Sequence, residues 1–190
     1  MDKSVIEKAV EVLRRGGILL YPTDTVWGLG CDACNEDAVR QLYTLKKRES
    51  NKSMLILLPD TERVYAYVSQ VPEVALDVLD LAHTPTTVIL YGAKNLASNL
   101  IAEDGSIGIR IPKNQDLQRL LKRFRRPIVS TSANISGEKS PTTWEEIKEE
   151  IKNSVDYTLP SNQTATQTVH KRPSSIIRIG LSGEIDVIRN

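Results

Sequence analysis

The sequence has few residues of the kinds that bind metal ions. Its 190 residues include only two cysteines and two histidines. Cys31 and Cys34 form a single C-x-x-C pair, whereas His83 and His170 lie far away at irregular spacing. A structural zinc site usually takes four ligands, so the pattern favours two reduced thiols over a metal centre. We therefore expect no protein-bound metal.

Long apolar runs and an excess of one charge are also lacking. No stretch reaches the ~18 apolar residues of a membrane span, and residues 1–4 lack the pattern that opens a secretory signal, so we expect a cytoplasmic protein without membrane contact. The 25 basic and 24 acidic side chains give a net charge of +1. This balance excludes a chain that coats nucleic acid by bulk charge, although a local basic patch stays possible.

Apolar periodicity alternates between helices and short strands along the chain. It predicts helices over 4–15, from 36 to about 48, over 72–81 and over 117–126, and a capping box of Thr143 and Glu146 predicts another that buries Trp144. The predicted strands are 18–21, 54–58, 87–91, 106–111, 127–134, 175–179 and 184–189. Without a repeat or a linker, this pattern favours one mixed α/β domain.

Polar side chains interrupt these strands at spacings that place them on one face in extended chain. Hydroxyls, amides and cations at several strand ends suit a polyanionic ligand in one cleft. The pairs with this spacing are Thr23 with Thr25, Lys46 with Arg48, Ser106 with Arg110, and Ser132 with Asn134.

Simpler structural roles exist for the same residues. Lys46 and Arg48 close a predicted helix, where the helix dipole favours cations without any functional role. The basic cluster at 122–126 also closes a helix and is typical of solvated surface. No serine–histidine–acid set or paired carboxylates are evident, which argues against a simple hydrolase. The residues alone thus indicate an α/β domain with a cleft for an anionic small molecule.

Five sequence blocks, in order, resemble the YrdC/Sua5 family. The resemblance covers residues 5–189 and fits the short form of the family, a single domain over 1–190 without a C-terminal extension. The blocks are Pro22-Thr23-Asp24-Thr25-Val26-Trp27-Gly28-Leu29-Gly30-Cys31-Asp32-Ala33, Lys46-x-Arg48, Ile107-Gly108-Ile109-Arg110-Ile111-Pro112, Ser130-Thr131-Ser132-Ala133-Asn134-Ile135-Ser136-Gly137 and Pro173-Ser174-Ser175-Ile176.

The resemblance implies a fold and an activity. The fold would be a twisted, open, mixed α/β (α+β) sheet flanked by helices, shared in outline with a ribulose-phosphate-using, RibB-like synthase family. The activity would be L-threonylcarbamoyladenylate synthesis from L-threonine, bicarbonate and ATP, with pyrophosphate released. The product would pass to a threonylcarbamoyl transferase complex that modifies tRNA. The competing interpretation is a double-stranded RNA- or tRNA-binding translation-factor module without synthase activity.

The resemblance also implies roles for individual residues. Lys46 and Arg48 would be the catalytic cations facing the phosphates, both solvent-exposed in the absence of ligand. Mg²⁺ would arrive with ATP and be held by phosphate oxygens and water. The L-threonine pocket would comprise Thr25, Arg110, Ser132 and Ser174, and the ATP site Arg48, Lys52, Ser106, Asn134, Thr142 and Arg189.

Some positions depart from the family pattern. Trp27 stands where the family usually has tyrosine, and Leu57 stands where some members have a polar contact to threonine. The segments 82–87 and 52–54 also differ from the family's blocks. These changes affect the expected shape of the amino-acid pocket rather than the phosphate chemistry.

Overall fold

A computed structural model describes residues 1–49, 54–160 and 172–190. Its centre is a mixed nine-stranded sheet with the strand order β7-β1-β2-β6-β3-β5-β4-β8-β9. The strands are β1 (Leu19–Tyr21), β2 (Gly28–Gly30), β3 (Leu55–Leu57), β4 (Thr86–Tyr91), β5 (Ser106–Arg110), β6 (Ile128–Ser132), β7 (Tyr157–Thr158), β8 (Ser175–Ile179) and β9 (Ile185–Arg189). The helices are α1 (Lys3–Arg14), α2 (Glu36–Leu45), α3 (Val64–Tyr67), α4 (Glu73–Leu81), α5 (Gln115–Phe124) and α6 (Glu149–Lys152). The mixed α/β fold expected from the sequence is confirmed.

Two apolar clusters cover the sheet unequally. On one face, α2, α3, α4 and α6 pack against alternating strand residues such as Leu29, Ile56 and Ile109. On the other face, α1 and α5 cover the side chains of β1, the end of β3 and the start of β6, for example Leu19 and Leu57. Because these two helices cover only part of that face, the remaining strand residues line an open depression.

The helix predicted from Thr143 is wrong. Residues 141–148 form turns, and α6 spans only four residues. The Glu146 carboxylate accepts from the backbone N–H and the hydroxyl of Thr142 and from the N–H of Thr143, so it closes a turn instead of capping a helix. Trp144, expected to point inward, is 37 % exposed.

Helix length is limited throughout the described ranges. The longest helix, α1, has 12 residues. No helix in those ranges combines the length and apolarity needed to cross a membrane.

Candidate functional site

The open depression is a cleft that crosses the seven neighbouring strands from β2 to β9. Strand register places Ser132 beside Gly28, Leu55 between Ser130 and Gly108, and Ile176 between Thr87 and Arg189. Gly28 and Gly108 carry no side chain, which leaves room above the floor. The polar residues that line the cleft are Thr23, Thr25, Arg48, Thr87, Arg110, Ser130, Thr131, Ser132, Ser174 and Arg189.

Arg110 is the buried cation of this cleft. It ends β5 and is only 5 % exposed. Its Nη2 donates to the carboxylate of Asp24, and its Nη1 lies 3.4 Å from the Thr25 hydroxyl. Its Nε is buried without a hydrogen-bond partner in the part of the chain described. Asp24 therefore holds one end of the guanidinium through Nη2, and Nη1 faces the Thr25 hydroxyl.

Two buried hydroxyl pairs flank Arg110. Thr23 Oγ1 and Thr25 Oγ1 are 2.8 Å apart, and the first also donates to the carbonyl of Val26 at 2.7 Å. Thr87 Oγ1 and Ser174 Oγ, which come from β4 and the approach to β8, are also 2.8 Å apart. Hydroxyls donate and accept with a rotatable hydrogen, so each pair can adjust to a polar ligand.

Two further arginines stand at the cleft. Arg189, on the last strand, donates to the carbonyl of Ser174 from Nη2 at 2.8 Å and from Nε at 3.2 Å. Arg48 follows α2, and burial lowers the pKa of its guanidinium. With Arg110, these side chains put three guanidinium groups in the lining of the same cleft, which suits a phosphorylated or carboxylated ligand.

Lys46 does not occupy the position expected for it. The expectation that it faces solvent is wrong, because it is 1 % exposed and is not part of the cleft lining. Its Nζ donates to the carbonyls of Ser132 at 2.5 Å and Asn134 at 2.6 Å. Burial, with a smaller contribution from Arg48, lowers the pKa of Lys46 to about 7. The two cations of the Lys-x-Arg block thus point to different places.

Three other predicted residues do not line the cleft. Strand β6 ends at Ser132, so strand parity does not extend to Asn134, whose Nδ2 donates to the carbonyls of Ile135 and Glu138. The Ser106 hydroxyl donates to Asp104 at 2.6 Å. The Thr142 hydroxyl donates to the Glu146 carboxylate in the exposed turn. The assignment of these three residues to ATP stays a prediction, and Lys52 lies outside the described residues.

Two of the unusual positions have a structural explanation. Leu57 is fully buried beneath α1 and α5 and does not contribute to the cleft lining. Trp27 is 6 % exposed and packs against Trp144 with ring centroids 5.4 Å apart. The larger indole thus serves the contact between the β2 approach and the turn at 141–148.

The sequence pattern gave no role to Thr87, a cleft residue, or to Asp24, a partner of the cleft residue Arg110. Asp24 stands between two threonines that were selected for their shared face, and this parity assigns it to the opposite face, so the pattern offered no signal for its pairing with Arg110. Thr87 begins the predicted strand, where its hydroxyl has the parity of Ile89 and of the cleft face. Among the described residues, no group of three or more His, Cys, Asp or Glu side chains is placed to hold a metal ion.

Comparison with known proteins adds a family. A family model for Sua5, YciO and YrdC proteins, described as telomere recombination, matches residues 11–190. A Coxiella burnetii protein named threonylcarbamoyl-AMP synthase is 33% identical over 95% of this chain and 95% of its own length. A Hahella chejuensis protein of the same name is 35% identical over 84% of this chain and 88% of its own length.

Solved structures have the same fold. E. coli YciO matches with a TM-score of 0.84 at 25% identity, covering 100% of this chain and 90% of that one. P. abyssi Sua5 complexed with L-threonine matches with a TM-score of 0.83 at 23% identity, covering 94% of this chain. The chain spans about half, 52%, of that Sua5 protein, so this likeness is one of fold.

Proposed function

The chain belongs to the Sua5/YciO/YrdC family, and from this membership we propose that it is a threonylcarbamoyl-AMP synthase. The observation that carries the proposal is the cleft itself, where buried Arg110 lies between two hydroxyl pairs and beside Arg48 and Arg189. Such a site offers cations to a carboxylate and to phosphates, and neutral hydrogen-bonding groups to an amino acid. Relatives that carry the synthase name align with most of this chain.

The amino acid is proposed to lie along the Arg110 side of the cleft. Nη1 of Arg110, whose 3.4 Å contact to the Thr25 hydroxyl is long, would bind the threonine carboxylate together with that hydroxyl. Ser132 and Ser174 would bond the remaining polar groups of the amino acid, since both line the same cleft. This arrangement gives threonine an arginine contact supported by a hydroxyl, while Asp24 bonds the other end of the guanidinium.

The nucleotide is proposed to lie against Arg48 and Arg189. Their charges would bind the triphosphate and stabilise the negative charge that develops when a carbamate oxygen of N-carboxythreonine attacks the α-phosphorus. Pyrophosphate then leaves, and no covalent enzyme intermediate is needed. Mg²⁺ would enter with ATP as part of the substrate, held by phosphate oxygens and water.

The wider setting is proposed on the same basis. Bicarbonate would supply the carbamoyl carbon, and the product would be passed in the cytoplasm to a threonylcarbamoyl transferase complex that modifies tRNA. The RNA-binding alternative receives no support from the names of the relatives, which are those of synthases.

Pyrophosphate release tests the proposal. Purified protein given ATP, Mg²⁺, bicarbonate and L-threonine should release pyrophosphate, and omission of threonine should abolish the release. Equal release without threonine, or none at all, would contradict the proposed activity. Titration with double-stranded RNA separates the alternative, because RNA binding without threonine-dependent turnover would favour a binding module.

A further inference from the structure

Lys46 lies beside the cleft but outside its lining, so its role must differ from that of Arg48 two residues later. Lys46 is the C-cap residue that follows α2, and its side chain crosses to the end of β6. The ammonium group donates to two carbonyls that flank Ala133, and its own backbone carbonyl accepts from the N–H of Ser136 at 2.9 Å. Three hydrogen bonds therefore join this one residue to the segment 132–136.

The segment 132–136 needs such support because it has left the sheet. Strand β6 ends at Ser132, and the next backbone contact is the Ala133 N–H to the carbonyl of Trp27 at 2.8 Å. A buried carbonyl without a donor costs free energy, so the ammonium group fixes where the carbonyls of Ser132 and Asn134 point. Fixing this carbonyl also fixes the peptide plane that follows Ser132, which is itself part of the cleft lining.

We infer that Lys46 is a positioning residue that acts on the amino-acid substrate through Ser132 and does not bind the phosphates of the nucleotide. This inference rests on the proposed function, since it assumes that the cleft binds L-threonine and ATP. Arg48 alone of the Lys-x-Arg block then provides a cation at the cleft.

A double-mutant cycle in binding affinity tests the inference. The variants are Lys46→Met, which keeps side-chain length but removes the donors, Ser132→Ala, Arg48→Ala and the two doubles that contain Lys46→Met. Calorimetry measures the Kd for L-threonine and for ATP on the full chain, so the cycle does not depend on catalytic turnover. Lys47→Met is the matched control, because Lys47 is the next residue, is 62% exposed and pairs with Glu150 on the surface.

Positioning through Ser132 predicts a specific pattern. Lys46→Met should weaken L-threonine binding about tenfold, a loss of about 1.4 kcal/mol, and change ATP binding less than about twofold. Adding Ser132→Ala should weaken threonine binding no further, whereas adding Arg48→Ala should lower ATP affinity by its own full effect. If Lys46→Met instead weakens ATP binding and is non-additive with Arg48→Ala, the inference is overturned in favour of phosphate binding. Additivity of Lys46→Met with Ser132→Ala also overturns it.

A measurement on the unmodified chain covers the case in which Lys46→Met does not fold. Limited acetylation followed by peptide mass spectrometry should label Lys47 rapidly and leave Lys46 unlabelled, with and without ATP. Rapid labelling of Lys46 that ATP suppresses would overturn the inference. Absence of ATP and threonine binding by the wild-type chain is a different result, which would contradict the proposed function itself.

Discussion

Asp24→Asn should destabilise the fold far more than an ordinary loss of a surface carboxylate. The Asp24–Arg110 pair is nearly inaccessible, with side-chain exposures of 14% and 6%. Arg110 has a weak 3.4 Å contact to Thr25 and no partner for Nε among the described residues, so Asp24 supplies its charged acceptor. Neutralising the carboxylate leaves an uncompensated buried guanidinium.

The expected magnitude follows from this burial. Removing one partner of a buried ion pair costs about 3–5 kcal/mol. A domain of this size has about 5–15 kcal/mol of total stability and shifts its Tm by about 2–4 °C per kcal/mol, so the variant should melt roughly 6–20 °C earlier. Urea unfolding followed by circular dichroism gives the free energy directly, provided the m-value is unchanged.

Asp37→Asn is the matched control for this experiment. Asp37 pairs with Arg40 at 2.5 Å, but the two side chains are 76% and 66% exposed. Exposed pairs contribute about 0–1 kcal/mol, so this variant should be close to the wild type. Equal stabilities of Asp24→Asn and Asp37→Asn would refute the reasoning, because they would mean that Arg110 does not depend on Asp24.

Four further outcomes are expected. Folding lowers the pKa of Lys46 from 10.5 to about 7, so between these pH values the unfolded chain binds a proton that the folded chain has lost. As pH rises from 7 to 9.5, the wild type should therefore gain unfolding free energy relative to Lys46→Met, by at most about 1.4 kcal/mol per pH unit. A difference in urea midpoints that does not change with pH would contradict this. Arg48→Ala should weaken ATP binding about tenfold or more while lowering the free energy of unfolding by less than about 1 kcal/mol, whereas Lys47→Ala should change neither quantity. An Arg48→Ala variant that melts early but binds ATP normally would count against the assigned role. Gly108→Ala should fold although its new Cβ would lie only 3.2 Å from side-chain atoms of Leu55 and Thr87, which must shift by a few tenths of an ångström. The added methyl group should weaken the calorimetric affinity for both substrates, and unchanged binding would mean that the floor is not in contact with them. Thr87→Val should weaken threonine binding several-fold, about 0.5–1.5 kcal/mol, because it leaves the Ser174 hydroxyl without its hydrogen-bond partner. An unaltered Kd for threonine would mean that Thr87 does not contribute to the pocket.

Helices and strands with periodic apolar residues were predictable from the sequence, because the spacing of those residues directly indicates a helix or a strand. The alternation at 106–111 predicted β5, and the spacing of Leu117, Leu120 and Leu121 predicted α5, which buries all three. Thr25 and Arg110, selected for their positions at strand ends, do come together in the cleft. Here local pattern and long-range packing agree.

The three errors have different physical causes. In the sequence, Lys46 looks like a surface cation at a helix end. Only the fold brings the carbonyls of Ser132 and Asn134, which are 86 and 88 positions further along the chain, to its ammonium group. The capping pattern at Thr143 forms a turn instead of a helix start, because the Glu146 carboxylate also accepts hydrogen bonds from the backbone N–H and the hydroxyl of Thr142. Strand parity failed at Asn134 because parity has no meaning beyond the last strand residue.

The position of Arg189 has a consequence for the order in which parts of the protein unfold. It lies on β9, the edge strand of the sheet, whose five residues are all exposed. Local opening of such an element requires less free energy than global unfolding, so β9 amides should exchange hydrogen sooner than those of central β5. Each opening removes Arg189 from the cleft and releases the Ser174 carbonyl, while Thr25 and Arg110 stay in place. Warming should therefore dismantle one wall of the cleft at temperatures where the sheet is still folded.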